Sequence, residues 1–436
     1  SALNANQTGS HHVAIGRNAL VANTTASGNT AVGSSALTSN TTGSSNVAVG
    51  QNASYNNTTG QNNSAFGVGA LYNTTTADGN TGIGKDALYY NTTGTANTAV
   101  GDSALETNST ASNNTAVGHQ ALFANTTGGQ LVAVGGRALD SNTTGGDNVA
   151  VGFEALGGNT TGSNNTAMGR NTLLSNTTAD NNTAVGFAAL SACTTAGSNT
   201  AVGSLSLDAC TTGGGNTAVG VLSLSDVTTA SQNTAIGDTA GADITTGVRN
   251  TCIGALAGEY GGNVLTTGAG NTLVGYGAIP SAASGINQIV ISAQNGSAAT
   301  TGKGNGTGFI SPDGGGVYQG NNSTTWSQTS DERIKKNIVD NNVGLEKIKD
   351  IQVRNFEYKL PEEISDGLTE TDAIDKQGIQ LGVIAQELET ILPNMVTTES
   401  TGCKTVNADN MTWYLVNAVK ELSAEVEELK KQLENK

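Results

Sequence analysis

Asn97-Thr98-Ala99-Val100-Gly101-Asp102-Ser103-Ala104-Leu105-Glu106-Thr107-Asn108-Ser109-Thr110-Ala111-Ser112-Asn113 is one period of a pattern that fills most of the chain, and the next begins at Asn114-Thr115-Ala116-Val117-Gly118. A glycine closes an Ala-Val-Gly-like triplet at 16, 33, 50, 67, 84, 101, 118, 135, 152, 169, 186, 203, 220, 237 and 254, always 17 residues apart; a degenerate sixteenth copy ends at Gly275, 21 residues on. The residue before the glycine is bulky and usually β-branched (Ile15, Val32, Val49, Phe66, Ile83), and the one before that is nearly always Ala. Size alternation at period two predicts a short strand with distinguishable faces.

Four residues after the glycine stands Leu in twelve of the fifteen copies, with Ser54, Gly241 and Gly258 as exceptions, and an Asn-Thr-Thr-Gly or Asn-Thr-Thr-Ala turn follows. One unit is thus expected to hold two short strands and two turns, which is one coil of a parallel β-solenoid (β-roll) over residues 1–275. Coils stacked in register rise about 4.8 Å each, giving a rod of roughly 70 Å for fifteen copies. The Asn four positions before each glycine (Asn29, Asn46, Asn63, Asn80, Asn97, Asn114) is expected to form a ladder of amides bonded to one another. The fifteen coils contain no proline, as a strand that needs every N–H requires. A disordered tract has no reason to keep such a register, so disorder is set aside.

Asn-Thr-Ala-Val-Gly resembles the head repeats of trimeric adhesins, over roughly residues 10 to 275. That resemblance implies a left-handed parallel β-roll with three chains side by side. The many Asn-x-Thr triplets, such as Asn23-Thr24-Thr25, are explained by the repeat and are assigned no glycan.

Composition bounds the rest. Of 436 residues only 4% are aromatic and 12% charged, with 59 glycines and 4 prolines, too little to fill a large conventional core. The net charge of −16 is unevenly spread: residues 330–436 hold 21 of the 35 acidic and 13 of the 19 basic residues. Neither part is built to neutralise phosphates, so no nucleic-acid partner is expected. No apolar run is long enough for membrane insertion. Cys193, Cys210, Cys252 and Cys403 show no zinc spacing, and His11, His12 and His119 read as surface or rung residues, so neither metal nor cofactor is expected. Cys193 and Cys210 occupy equivalent places in successive copies and read as stacked small residues rather than a disulfide. The start at Ser1, with neither Met nor signal peptide, is read as a processed form or the distal part of a longer protein.

Residues 276–329 lose the register and carry Pro280, Pro312, the alternating Gln288-Ile289-Val290-Ile291 and the aromatics Phe309, Tyr318 and Trp326. They read as a neck of short strands whose aromatics need neighbouring chains to cover them.

At Thr329-Ser330-Asp331-Glu332-Arg333-Ile334-Lys335-Lys336-Asn337-Ile338 the composition turns charged and globular. Residues 330–436 pattern as a small α+β domain: a helix at 344–351, strands at 353–358 and 379–384, and an acidic loop at 361–375. Apolar residues at Leu415, Val419, Leu422, Val426, Leu429 and Leu433, spaced 4, 3, 4, 3, 4, make a coiled-coil seam within 411–434.

Ser-Asp-x-Arg-x-Lys-x-Asn-Ile at Ser330–Ile338, together with Gly382-Val383-Ile384-Ala385-Gln386-Glu387, resembles the self-cleaving intramolecular chaperone of phage tail spikes and fibres, the peptidase S74 family. The resemblance implies a Ser330/Lys335 catalytic dyad, cleavage between Thr329 and Ser330, and Gln386 and Glu387 as the hallmark of a strand-to-helix turn. Lysine serves as a base when desolvation or nearby positive charge keeps its amine neutral, and Arg333 lies close in sequence. Asp331, Arg333 and Asn337 are candidate support or oxyanion groups. The chain is then expected to be the distal part of a phage tail fibre or spike, or of a phage-tail-like particle. It would sit in the virion tail as a homotrimer that attaches to a host-surface receptor. The alternative is a bacterial trimeric surface adhesin with a self-cleaving assembly domain.

Overall fold

The structure, a computed structural model, describes residues 1–293, 299–311, 317–320, 326–328, 335–364, 374, 376–398 and 402–435. It divides into two compact units, Ser1–Thr329 and Ser330–Lys436.

The first unit is a parallel β-solenoid with one coil per 17 residues. Three-residue strands from Val13–Ile15 to Thr272–Val274 pair in unbroken parallel register, with Thr98↔Thr115, Ala99↔Ala116 and Val100↔Val117 as one step. Each coil carries one strand rather than the expected two. The segment around Leu is a chain of turns, because its backbone is left-handed at two places, as at Asn18 (φ 60) and Leu20 (φ 51), or Ser103 (φ 55) and Leu105 (φ 52). A left-handed bulky residue costs about 1–2 kcal/mol, whereas burying a leucine side chain stabilises by about 1.5–3 kcal/mol. Burial wins: these leucines and the alanines before them are wholly inside and form one continuous core. Although not strands, these turns still bond from coil to coil, Leu37 N–H to Ala53 O at 3.0 Å and Leu88 N–H to Ala104 O at 3.0 Å.

The recurrent glycine takes φ between 122 and 144° in all fifteen regular copies. A Cβ there strikes the glycine of the next coil: at Gly118 it falls 2.5 Å from Gly135 O and 2.6 Å from Gly135 C. Glycine is fixed at this position by backbone touching backbone.

Two polar ladders run inside the coil. The Asn before each strand is buried as expected, and it bonds to the backbone as well as to its neighbours' amides. Oδ1 accepts the backbone N–H of the next coil's Asn (Asn46 N to Asn29 Oδ1, 2.8 Å), and Nδ2 donates to a turn carbonyl (Asn29 to Gly43 O, 2.8 Å). At several steps Nδ2 also donates to the Oδ1 of the preceding coil's Asn, at 3.2 Å from Asn97 to Asn80 and 3.0 Å from Asn271 to Asn250. A second side-chain ladder is that of the Asn in the Asn-Thr-Thr turn. There Asn142 Nδ2 donates to Asn125 Oδ1 at 2.9 Å, and Asn159 to Asn142 at 2.8 Å. This second ladder breaks at Thr74 and again at Cys193, and the breaks leave Asn57 Oδ1, Thr74 Oγ1 and Asn176 Oδ1 buried without partners. Asn23 is likewise buried, so the Asn23-Thr24-Thr25 triplet offers no accessible amide. Cys193 and Cys210 are free thiols that occupy ladder places, each Sγ 3.2 Å from the carbonyl three residues on. His12 stands in for Asn at the first coil, its Nδ1 accepting from Asn29 N at 3.3 Å.

The stack does not stop at Gly275. Ile289–Ser292 adds in parallel to Thr272–Val274, and Gly308–Ser311 adds to that, so the expected neck holds two further rungs. Phe309 is consequently buried in the solenoid core, with Lys303 Nζ 4.4 Å from its ring centre, and needs no other chain to cover it. Val317–Gln319 and Trp326–Gln328 then close the sheet as antiparallel strands.

The second unit pairs Arg354–Phe356 with Gln380–Gly382 and Val396–Thr398 with Lys404–Val406, both antiparallel. Its helices are α1 (Leu345–Asp350), α2 (Ala385–Ile391) and α3 (Met411–Glu434). Leu388, Leu392, Met395 and Tyr414 form its core. Helix α1 starts hard against α3, since a Cβ on Gly344 would lie 2.5 Å from Ala418 N; Leu345 N–H donates to Glu421 Oε2 at 2.7 Å. No described helix is long and apolar enough to cross a membrane.

Candidate functional site

Thr329, Ser330, Asp331 and Arg333 lie outside the described residues. Lys335 and Asn337 are described: both are exposed, and Asn337 turns the chain with φ 57°, a conformation Asn tolerates better than most residues. The acidic loop expected at 361–375 falls largely outside the described residues too.

The other hallmark residues sit where the expected strand-to-helix turn falls. Gly382 ends a strand against Arg354, and α2 starts three residues later, carrying Gln386 to the surface and Glu387 back towards the hairpin. Glu387 accepts two bonds from Arg354, Nη2 to Oε1 at 3.0 Å and Nε to Oε2 at 3.2 Å. The hydrogen bond to Glu387 and then its charge hold the Arg354 guanidinium above its ordinary pKa. Two residues on, Glu389 accepts from Lys404 Nζ at 2.6 and 2.7 Å. Glu387 and Glu389 therefore tie α2 to two different hairpins; the hallmark pattern included Glu387 without a role and did not include Glu389. Bidentate geometry fixes orientation as well as distance.

Residues 330–397 match the family model of the chaperone of endosialidase, peptidase S74. The comparison with curated proteins finds no match, and neither does that with solved structures. The S74 match begins at Ser330 and spans both hallmark blocks. It makes the second unit similar to an autoproteolytic chaperone domain. An S74 segment behind a β-solenoid fits a tail-spike-like fibre that carries its own assembly chaperone.

Among the described residues no three His, Cys, Asp or Glu come together to hold a metal ion.

Proposed function

We propose that this chain is the distal part of a phage tail fibre or spike, or of a phage-tail-like particle, a homotrimer that attaches to a host-surface receptor. The observation that carries the reading is the S74 match placed directly behind an unbroken solenoid. A trimer is supported by a stripe along the strand face, where Ile15, Phe66, Ile83, Met168, Ile236 and Ile253 are 38 to 59% exposed. Large exposed apolar stripes mark association surfaces, and a partner with the same rung spacing matches this one throughout its length. The seam of α3, with Val419, Leu422, Leu429 and Leu433 exposed, asks for equivalent helices beside it. Identical rungs leave lateral register ambiguous, and a terminal clamp that aligns three chains removes the ambiguity.

Self-cleavage follows as a single turnover. Ser330 Oγ attacks the Thr329 carbonyl through a five-membered ring, Lys335 accepts the hydroxyl proton and passes it to the Ser330 nitrogen, and as the C–N bond breaks that nitrogen leaves as an amine. Water then hydrolyses the ester, with the Lys335 amine again acting as base. Lys335 is exposed on a single chain, so its desolvation comes from a neighbouring chain, and cleavage reports that assembly is complete.

Intact-mass analysis of the expressed protein tests this. The mature shaft ends at Thr329 and sediments as a trimer, whereas Ser330→Ala and Lys335→Ala each leave a full-length folded chain. A shaft C-terminus elsewhere, a monomeric shaft, or normal cleavage in Lys335→Ala overturns it. A trimeric adhesin of a bacterial surface shares the shaft and its interface; the S74 match favours the fibre.

A further inference from the structure

The second unit contains a cavity that takes no part in the proposed cleavage step. Its volume is about 260 Å3, and its lining is Asn341, Asn394, Asn410, Trp413, Tyr414 and Asn417. Four carboxamides and two aromatic rings in so small a space are unlike an ordinary hydrophobic groove.

The bonds within the unit use only part of what these amides offer. Asn417 spends Nδ2 on the carbonyls of Asn341 (2.6 Å) and Val343 (3.2 Å), which leaves Oδ1 for a ligand. Asn341 accepts the Val343 N–H on Oδ1, which leaves Nδ2. Asn394 and the Tyr414 hydroxyl hold each other at 2.9 Å. Asn410 precedes α3 yet makes no capping bond to it. Beside these groups Trp413 is 67% exposed, a large indole with little of its surface covered.

A carboxamide offers one donor and one acceptor in a plane, the complement of a peptide group's C=O and N–H. An indole face adds contact that tolerates any small side chain. We infer that this cavity binds an extended, amide-rich, proline-free polypeptide: the still unfolded coil sequence of the shaft itself. This rests on the reading of the second unit as an assembly chaperone. A chaperone for an ordinary client needs an apolar surface, but this client is Gly/Asn/Thr-rich with 4% aromatic residues in the whole chain, and a greasy site has little to hold. A site of amides reads the backbone, which every coil presents alike.

The probe is a synthetic peptide of the sequence Asn97–Asn113, added to the full chain carrying Ser330→Ala, to keep both units joined, and Trp326→Phe. The chain has two tryptophans, so Trp413 is then the sole reporter. Binding shifts its emission to the blue and lowers acrylamide quenching about twofold. Asn410→Ala, a residue outside the core, weakens the affinity about tenfold, the effect of one to two lost hydrogen bonds. A peptide with proline at alternate positions, lacking half its N–H groups, gives no response. The inference is overturned if the coil peptide leaves Trp413 unchanged, if the proline peptide works equally well, or if Trp413 is already shielded before addition. The last outcome assigns the cavity to contacts between copies of this unit. Whether shaft expressed without residues 330–436 still assembles is a separate readout: normal assembly there, with peptide binding intact, rejects the chaperone reading and leaves the site standing.

Discussion

Replacing Gly118 by Ala tests the close approach that locks one coil to the next. The new Cβ would lie 2.5 Å from Gly135 O and 2.6 Å from Gly135 C, both backbone atoms of the following rung, while φ stays at +138°. Holding a non-glycine residue in that region costs about 1–3 kcal/mol. Relieving the clash moves the rung by the better part of an ångström, which stretches the bonds Gly118 N to Val100 O (2.8 Å) and Gly135 N to Val117 O (2.7 Å). Each group left unpaired costs a further 1–3 kcal/mol or so, so with two such groups the total is on the order of 3–9 kcal/mol at one interface. Because each coil leans only on its neighbours, the loss stays local and splits the stack into two blocks. Gly79 supplies the control: φ is +69°, a Cβ there meets nothing within 4 Å, and other copies place Ser45, Asn62 and Asn113 at the same point. Gly79→Asn is expected to change stability by less than about 1 kcal/mol. Denaturant unfolding followed by circular dichroism, with limited proteolysis to locate the break, reads both. Gly118→Ala should give an early transition and cleavage near that rung. If its midpoint matches that of Gly79→Asn, backbone contact is not what fixes the glycine.

Thr74→Asn should stabilise the shaft by roughly 1–3 kcal/mol, since it gives Asn57 Oδ1 a donor and removes the orphaned Thr74 hydroxyl; an unchanged or lower denaturant midpoint would show that the ladder gap is harmless. Burial first, then the neighbouring charge of Asp226, raises the pKa of Asp208 and Asp243; burial, then the charges of Asp243 and Asp238, raises that of Glu259. Folded carboxyls that hold protons more tightly than unfolded ones stabilise at low pH, so this contribution fades as pH climbs from the ordinary carboxylate range through the raised values. Midpoints measured across that range should fall with rising pH, and Asp208→Asn should flatten the slope. Burial pushes the Cys193 and Cys252 thiols up to about 12 and Cys210 to about 11, so in the native protein at pH 8 a thiol reagent should reach Cys403 first, and rapid labelling of the other three would contradict their burial.

The solenoid was legible because its constraint repeats: glycine at every seventeenth residue and Ala two places before it state the closest contacts of the fold. What escaped was conformation without a change of residue type. Leu20 and Leu105 look like strand residues, yet both are left-handed, and the only hint is that the exceptions at this place are two glycines and a serine rather than Val or Ile. Asn was legible as a ladder, but not the backbone bonds it also makes nor the second ladder of the turn Asn, since both asparagines of the coil are buried and only geometry shows their partners. The rungs beyond Gly275 were hidden in two ways: at Ile289 the 17-residue spacing from Thr272 holds but Gln288 and Ser292 replace the usual Asn and Gly, and the step on to Gly308 is lengthened while the pairing is kept. In the second unit local pattern gave α1 and the strands at 354–356 and 380–382, the strand-to-helix turn at Gln386 and Glu387 came from the resemblance, and the Val396–Thr398 hairpin was not foreseen. The partners Arg354 and Lys404 were not foreseen either, because a charge on a hairpin gives no sign of which carboxylate it will face.

The ladder asparagines bear on how such a particle ages. Asparagine decays when the backbone nitrogen of the following residue swings onto the side-chain carbonyl carbon and closes a succinimide. Here that nitrogen is already engaged: Thr30 N–H is held by Asn46 O at 2.8 Å, and Thr41 N–H by Thr58 O at 2.9 Å. The carboxamide itself is pinned at both ends, as Asn29 and Asn40 are. A shaft built on the amino acid most prone to spontaneous chemical damage has thereby placed it where the damaging rotation is blocked. Long storage should leave the ladder asparagines intact, as peptide mapping would show, while the same residues of an unfolded chain gain acid groups.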